Sequence, residues 1–211
     1  MIDGKHGTVG RYTPAARLNH WLNAIVLILL ALSGMALFHP ALFFLTALFG
    51  GGTWARIIHP WLGLTLFLTF YSLFLRFWRY NLWSRDDTRW MQHVGDVVAK
   101  HDEKLPEVGR YNAGQKIVFW GMSLLILALL LSGIVMWDSQ FGQYFSIGQK
   151  RLAAVVHAAC AVTIIGLWII HAYAAIWVKG TVRAMTRGSV TGGWAWKHHR
   201  KWLREEASKE T

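Results

Sequence analysis

The stretch at residues 152–178 (LAAVVHAACAVTIIGLWIIHAYAAIWV) constrains the fold more than any other part of the sequence. It contains no Lys, Arg, Asp or Glu and is long enough to cross a bilayer as a helix. His157 and His171 are 14 positions apart, so at about 100° and about 1.5 Å per residue they leave the same helix face about 21 Å apart. Because ionisable side chains inside a membrane are costly and usually functional, the pattern predicts one transmembrane helix that serves two sites at two depths.

Three more apolar runs accompany this stretch. The chain has 211 residues, of which 54% are hydrophobic and 13 are Trp, a composition typical of integral membrane proteins. The sequence therefore predicts an all-α integral membrane protein, a four-transmembrane-helix bundle that forms a single membrane domain over residues 1–211. The predicted spans are residues 20–38, 57–78, 116–137 and 152–178, followed by a basic tail at residues 179–211.

The distribution of Lys and Arg indicates the orientation. Of the 22 basic residues, 19 lie in the N-terminal segment, in the loop between the second and third spans, or in the tail, when the span-end residues Arg76 and Lys116 are counted with the loop. The positive-inside rule then places both termini in the cytoplasm. A net charge of +11 is also typical of nucleic-acid binding, but the membranous core argues against that partner. Cys160 is the only cysteine, which excludes a disulfide framework and a Cys-ligated cluster.

With this topology, four histidines form two pairs at matching depths. His59 opens the second span on the outer side, at the level of His157, and these two are named the outer pair. His20 opens the first span on the cytoplasmic side, at the level of His171, and these two are named the inner pair. A haem b with two axial imidazoles requires one neutral ring nitrogen from each side of the macrocycle. The sequence therefore predicts two b haems, one per pair, and an electron path across the membrane.

Other assignments of the histidines explain the pattern less well. Zinc would need a third or fourth ligand at the same depth, and a di-iron site would need clustered histidines. Only His198 and His199 are adjacent, and they are expected at the surface of the tail. His39 competes with His59 as an outer ligand, but His59 is preferred because His39 ends the first span and precedes a proline. The remaining histidines, His6, His93 and His101, are expected in solvent.

Small residues near the histidines leave room for a macrocycle. Gly34 and Gly133 occur in Ser-Gly pairs on the first and third spans, and alanines surround His157 and His171. The same residues suit close packing of helices against one another. Both interpretations are compatible with the sequence.

A second candidate site precedes the third span. The segment GRYNAGQK at residues 109–116 enters that span on the cytoplasmic side, close in depth to His171. A helix N-terminus offers unsatisfied N–H groups, Asn112 and Gln115 add amide donors, and Gly114 allows a ligand to approach the backbone. These groups suit the carbonyls of a quinone. From the spacing alone, however, an ordinary N-cap at Asn112 is the preferred interpretation.

Several motifs carry a family resemblance. They are RLNHW at residues 17–21, RIIHP at 56–60, GRYNAGQK at 109–116, WVKG at 177–180 and WKHH at 196–199, together with the helix of His157 and His171. Through them the chain resembles, over nearly its whole length, the cytochrome b556 (gamma) subunits of respiratory formate dehydrogenases. Arg200, where a proline usually follows the two histidines, and residues 138–150 depart from the family pattern.

The resemblance implies two b haems, one held by the inner pair on the cytoplasmic side and one by the outer pair on the periplasmic side. It also implies a site for menaquinone or ubiquinone near His171, with Asn112, Gly114 and Gln115. The implied partners are an iron–sulfur (beta) subunit with its own transmembrane helix, a catalytic molybdenum or tungsten (alpha) subunit, and membrane lipid. They form a heterotrimer, or a trimer of heterotrimers, in the bacterial inner membrane. Formate oxidation then lies in the alpha subunit, and this chain delivers electrons to quinone.

Two alternatives to this interpretation stay open. Cytochrome b subunits of nickel–iron hydrogenases and thiosulfate reductases share the four-helix, bis-histidine plan, although the Tyr111 to Lys116 segment and the tail favour the formate enzyme. From another class, a haem-free membrane anchor or transporter would use the histidines as a proton path. The presence of b-type absorbance distinguishes that class from the cytochromes.

Overall fold

The computed structural model describes residues 2–3, 7–98 and 106–208. Its strands are β1 (Ile2–Asp3), β2 (Thr8–Gly10) and β3 (Ser189–Thr191). Its α-helices are α1 (Pro14–Phe38), α2 (Gly52–Phe77), α3 (Arg85–Gln92), α4 (Val94–Val98), α5 (Ala113–Met136), α6 (Asp138–Phe141), α7 (Ile147–Trp177), α8 (Thr181–Arg187), α9 (Gly192–His198) and α10 (Arg200–Ala207). Short 3-10 helices occupy Pro40–Phe49, Trp78–Asn81 and Gly142–Tyr144.

Helices α1, α2, α5 and α7 are each long and apolar enough to cross a membrane, which confirms the prediction of four candidate spans. Each begins ahead of the apolar run that predicted it, because the polar first turns are helical as well. At the start of α1, for example, the Ala16 N–H donates to Thr13 Oγ1 at 3.3 Å, and Pro14 takes the first helical position. Only 6–22% of the residues in the most apolar window of each helix are buried, so these surfaces suit contact with lipid.

The chain divides into two compact units. Unit 1 comprises Met1–Arg17, Arg76–Trp120 and His171–Thr211. Unit 2 comprises Leu18–Leu75 and Gly121–Ile170, and it contains most of the apolar length of α1, α2, α5 and α7. The single membrane domain expected over residues 1–211 stays a prediction.

Unit 1 contains a small three-stranded antiparallel sheet in the order β1-β2-β3. Val9 of β2 lies opposite Val190 of β3, and both side chains are buried. The prediction of an all-α chain is therefore wrong in this detail, although the chain is predominantly helical. The pairing joins the N-terminal segment to the tail, which is a folded part of unit 1 with Trp194 and Trp202 in its core.

An aromatic cage around Arg11 holds this core together. The guanidinium is 5% exposed and lies 4.6–5.8 Å from the ring centres of Tyr12, Tyr111, Trp194 and Trp202. Such placement over aromatic faces stabilises a buried cation by electrostatic attraction to the rings. The Arg11 side chain therefore connects the N-terminal segment, the start of the third span and the tail.

Two copies of one short motif meet in unit 1. Gly10-Arg11-Tyr12 recurs 99 positions later as Gly109-Arg110-Tyr111. Arg11 Nη2 donates to the Arg110 carbonyl at 2.6 Å, and Arg110 Nη2 donates to the Arg11 carbonyl at 2.5 Å. The Tyr12 hydroxyl also donates to the Tyr111 hydroxyl at 3.2 Å. The contacts are reciprocal, as expected when two equivalent segments face each other.

A buried ion pair fixes the start of α5 next to α3. Lys116 Nζ lies 2.7 Å from Asp87 Oδ2, with side-chain exposures of 9% and 2%. Asp87 also accepts the Ser84 N–H, and Lys116 donates to the Leu82 carbonyl. These additional bonds supply the partners that a buried ion pair needs. The candidate segment at residues 109–116 is therefore anchored on both flanks.

His199 is also part of the unit 1 core, so the expectation that it lies at the surface is wrong. It is 1% exposed, and its Nδ1 lies 2.8 Å from the Gly109 carbonyl, to which it donates. Its Nε2 then accepts from Arg11 Nη2 at 3.4 Å. Burial, reinforced by the Arg11 charge, lowers the pKa of His199 to about 3. The ring is therefore neutral in the folded chain.

We expect unit 1 to lose stability as the pH falls from about 6.5 towards 3. The unfolded chain protonates His199 near its ordinary pKa of about 6.5, whereas the lowered pKa of about 3 keeps the folded ring neutral. Acid therefore favours unfolding by about 1.4 kcal/mol per pH unit within that window. Thermal unfolding of the full chain in detergent, followed by tryptophan fluorescence at several pH values, measures the slope.

The matched variants for this measurement are His199→Asn and His93→Asn. Asparagine at position 199 keeps a donor for the Gly109 carbonyl but does not titrate, so its acid slope should be shallower than the wild-type slope. His93 is half-buried and bonds only locally, to the Arg89 carbonyl, so its variant should keep the wild-type slope. Identical slopes in the wild type and His199→Asn would contradict the assignment of the acid sensitivity to His199.

Candidate functional site

The rings of His59 and His157, the outer pair, lie side by side in unit 2. Their centres are 6.2 Å apart and their planes form an angle of 62°. Two imidazoles on one iron have metal–nitrogen bonds of about 2 Å on either side, which places the ring centres about 6 Å apart. The observed separation therefore fits a bis-imidazole haem between α2 and α7.

A serine and a glycine accompany each histidine of the outer pair. Ser33 Oγ of α1 is 2.7 Å from His59 Nδ1, and Ser132 Oγ of α5 is 3.0 Å from His157 Nδ1. A Cβ atom added at Gly34 would lie 3.4 Å from His59 Cε1, and one added at Gly133 would lie 3.4 Å from His157 Cε1. The glycines therefore leave each ring the space it occupies. The donor set and this cleared space both fit a haem.

Ser33 and Ser132 are functional candidates that the sequence reasoning missed. The Ser-Gly pairs are visible in the sequence, but small residues on a membrane helix equally suit close helix packing. The signal that distinguishes them is their spacing, because a histidine follows each serine after 26 or 25 positions. That spacing gains meaning only when the two helices are known to pack against each other.

The alternative outer ligand, His39, has another role. It is exposed, and its Nδ1 accepts the Ala41 N–H at 3.2 Å as the N-cap of the helix Pro40–Phe49. Within residues 2–3, 7–98 and 106–208, no group of three or more His, Cys, Asp or Glu side chains could hold a metal ion. His6 and His101 lie outside the described residues.

The two histidines of the inner pair belong to different units. His20 belongs to unit 2 and is half-buried, with its ring edge-on to Trp21 at 5.6 Å between centres. His171 belongs to unit 1 and is also half-buried. Their assignment to one haem stays a prediction.

The candidate quinone residues form a reciprocal cap at the start of α5. The Gln115 N–H donates to Asn112 Oδ1 at 2.9 Å, and the Asn112 N–H donates to Gln115 Oε1 at 3.0 Å. This is a capping box built from two amides, so the N-cap interpretation of Asn112 agrees with the geometry. The box uses only the amide oxygens. Among the described residues the two NH2 groups, on half-buried side chains, have no acceptor, so they can donate to a carbonyl ligand.

Gly114 makes room for a neighbouring side chain. A Cβ atom at this position would lie 3.4 Å from Trp90 Cη2 and 3.5 Å from Asn112 Oδ1. Trp90 is buried together with Val108 and Ala113. The indole therefore forms one wall beside the amides of the cap. Burial also raises the pKa of the neighbouring Tyr111, so its hydroxyl stays protonated.

Comparison with known proteins shows the family to which the chain is similar. Residues 11–188 match the family described as prokaryotic cytochrome b561. The formate dehydrogenase cytochrome b556(fdo) subunit of Escherichia coli (strain K12) is 41% identical over 201 residues, which cover 95% of this chain and 94% of the relative. The nitrate-inducible cytochrome b556(Fdn) subunit of that strain is 39% identical over 199 residues, 92% of each chain. The formate dehydrogenase cytochrome b556 subunit of Haemophilus influenzae is 38% identical over 196 residues, 93% of this chain and 82% of the relative.

We expect Gly34→Ala to reduce the haem content of the purified chain by up to half. The added methyl group would press on the His59 ring at 3.4 Å and displace one ligand of the outer pair, because packed interiors tolerate little extra volume. Haem per chain and the reduced-minus-oxidised spectrum measure the loss. Gly95→Ala, in α4 of unit 1 with open space around its Cβ position, should keep the wild-type haem content. Equal haem contents in the two variants contradict the expectation.

Proposed function

Because the chain belongs to the prokaryotic cytochrome b561 family, we propose that it is the dihaem cytochrome b membrane subunit of a formate dehydrogenase. In this role it carries electrons from a periplasmic iron–sulfur subunit across the bacterial inner membrane to menaquinone or ubiquinone at the cytoplasmic side. Its four apolar helices support the proposal, and so do relatives named as formate dehydrogenase cytochrome b556 subunits that align over more than nine tenths of its length.

The outer pair is the single observation that carries the proposal furthest. Its ring separation of 6.2 Å and the cleared space at Gly34 and Gly133 suit a haem b held by His59 and His157 on the periplasmic side. We assign the inner pair, His20 and His171, to a second haem near the cytoplasm. A bound haem b supplies a one-electron redox centre. The protein contributes the axial imidazoles, their orientation and an apolar surrounding.

The distribution of charge supports the orientation. Both termini and the loop between α2 and α5 carry most of the basic residues, which places them in the cytoplasm in this proposal. Formate oxidation belongs to a catalytic molybdenum or tungsten subunit in a heterotrimer, or a trimer of heterotrimers, with lipid at the interfaces. The exposed apolar faces of the four long helices suit lipid and the transmembrane helix of the iron–sulfur subunit.

The reciprocal cap at the start of α5 suits the quinone site. A quinone has two carbonyl acceptors, and the NH2 groups of Asn112 and Gln115 are donors that the capping box leaves unused. Gly114 and Trp90 provide a flat apolar wall beside these donors. We place quinone reduction at this cap, near His171, where protons are taken up from the cytoplasmic side.

We expect His59→Ala to remove one of two haems per chain and to abolish formate-dependent quinone reduction in the purified complex. The substitution deletes one axial ligand of the outer haem while the inner pair stays intact. Haem stoichiometry, the reduced-minus-oxidised spectrum and a formate–quinone assay give the result. His39→Ala, which removes only an exposed capping residue, serves as the matched control and should retain both haems. A wild-type chain without b-type absorbance would be a haem-free anchor or transporter, and the proposal would fail.

We expect Gln115→Ala to slow quinone reduction about tenfold, the equivalent of one hydrogen bond, with haem content unchanged. Alanine removes both the Nε2 donor and the Oε1 acceptor of the cap, so Gln115→Glu separates the two roles. Glutamate keeps the acceptor for the Asn112 N–H but has no NH2 group. Quinone kinetics of the two variants should therefore be equally impaired. A wild-type rate in Gln115→Glu would assign the residue to the helix cap alone.

A further inference from the structure

The two serines of the outer site make the same pair of hydrogen bonds. Ser33 is 0% exposed and Ser132 is 7% exposed. Each hydroxyl lies against the Nδ1 atom of one histidine of the outer pair, at 2.7 Å and 3.0 Å respectively. Each also lies against a carbonyl four positions earlier in its own helix, Leu29 at 2.8 Å and Ala128 at 2.7 Å. The direction of these bonds follows from the number of protons.

A serine hydroxyl has one proton to donate, and a carbonyl oxygen can only accept. The proton of each serine is therefore directed to the backbone carbonyl, and the hydroxyl oxygen accepts the Nδ1–H of the histidine. In both rings Nδ1 carries the proton, and Nε2 is left with a lone pair. That tautomer is the one in which Nε2 can bind a metal.

We propose that Ser33 and Ser132 are positioning residues for the outer haem, which select the Nδ1–H tautomer of both axial histidines and fix the rotation of their rings. This inference rests on the assignment of His59 and His157 as ligands in the proposed function. It adds the two residues that prepare those ligands. Neither serine touches the iron, and each acts through its histidine.

The internal repeat supports the inference independently. The Ser-Gly pairs at residues 33–34 and 132–133 are 99 positions apart, like the Gly-Arg-Tyr motifs, and the outer histidines are 98 positions apart. The same combination of serine, glycine and histidine thus occurs twice. In each case the serine orients the histidine ring and the glycine leaves space beside it. The inner histidines have no counterpart in the repeat. Phe119 lies 99 positions after His20, and Leu73 lies 98 positions before His171.

The hydrogen bond also affects the electronic state of the ligand. An imidazole that donates from Nδ1 is more basic at Nε2, and a more basic axial ligand favours ferric over ferrous iron. Removing the acceptor should therefore raise the reduction potential of the outer haem. It should also change the low-spin ferric g-values, because the angle between the imidazole planes is no longer fixed.

The test uses Ser33→Ala, Ser132→Ala and the double variant in the purified complex. Redox titration of the b-type bands and electron paramagnetic resonance are the readouts. We expect a higher outer-haem potential in each single variant, a larger shift in the double variant, and an unchanged inner haem. Ser33→Thr and Ser132→Thr keep the hydroxyl and should retain the wild-type potential. Thr163→Ala is the control, because the Thr163 hydroxyl also donates to a carbonyl four positions earlier, Ala159.

Unchanged potential and g-values in the alanine variants, with the outer haem retained, would overturn the inference. So would an equal shift in Thr163→Ala, or loss of both haems from the alanine and threonine variants alike. Loss of the outer haem alone from an alanine variant, restored by threonine, supports it. A wild-type complex that lacks the outer haem, or whose outer haem survives His59→Ala, would instead refute the proposed function.

Discussion

A half-buried histidine among apolar helices has two ring nitrogens, and both need a partner. An unsatisfied polar atom in such an environment costs several kcal/mol, on the order of a full desolvation penalty. In the outer pair the serines satisfy Nδ1, at 2.7 Å in His59 and 3.0 Å in His157. The remaining nitrogen of each ring then needs a group that accepts a lone pair. In the proposed function, an iron between the two rings would meet that need at both sides.

In unit 1, a buried cation likewise needs partners for its polar atoms. Arg11 is enclosed by four aromatic rings, donates to the Arg110 carbonyl and also contacts the neutral His199. Burial disfavours the protonated form of His199, and the positive charge of Arg11 beside it adds to this effect, so its pKa is lowered to about 3. The tail therefore folds as part of unit 1, and its tryptophans form a core around one guanidinium.

These two sites show what a sequence can and cannot predict. The four spans were predictable because apolar runs of that length are rare outside membrane-spanning helices. The proximity of His59 and His157 was also predictable, since topology alone places them at one depth. The pairing of Val9 with Val190 was not, because strands of three residues carry little local signal and the partners are far apart in sequence. The burial of His199 was missed because a basic, polar tail is ordinarily a solvated segment.

The sequence repeat compares two segments, residues 10–59 and 109–157, which are named the two halves. It indicates which features they share and which they do not. Both halves begin with Gly-Arg-Tyr and a capping residue, since Thr13 accepts the Ala16 N–H and Asn112 accepts the Gln115 N–H. Both continue with the Ser-Gly pair and the outer histidine.

The halves differ at the positions of the inner histidines and of Gln115. Ala16 corresponds to Gln115, and the inner histidines correspond to Phe119 and Leu73. A haem shared by two equivalent ligands needs the same chemistry from each half, so the outer site is built from what the halves have in common. A quinone approaches from one side and needs donors that only one half supplies. The proposed inner haem and quinone site therefore lie where the two halves differ in sequence.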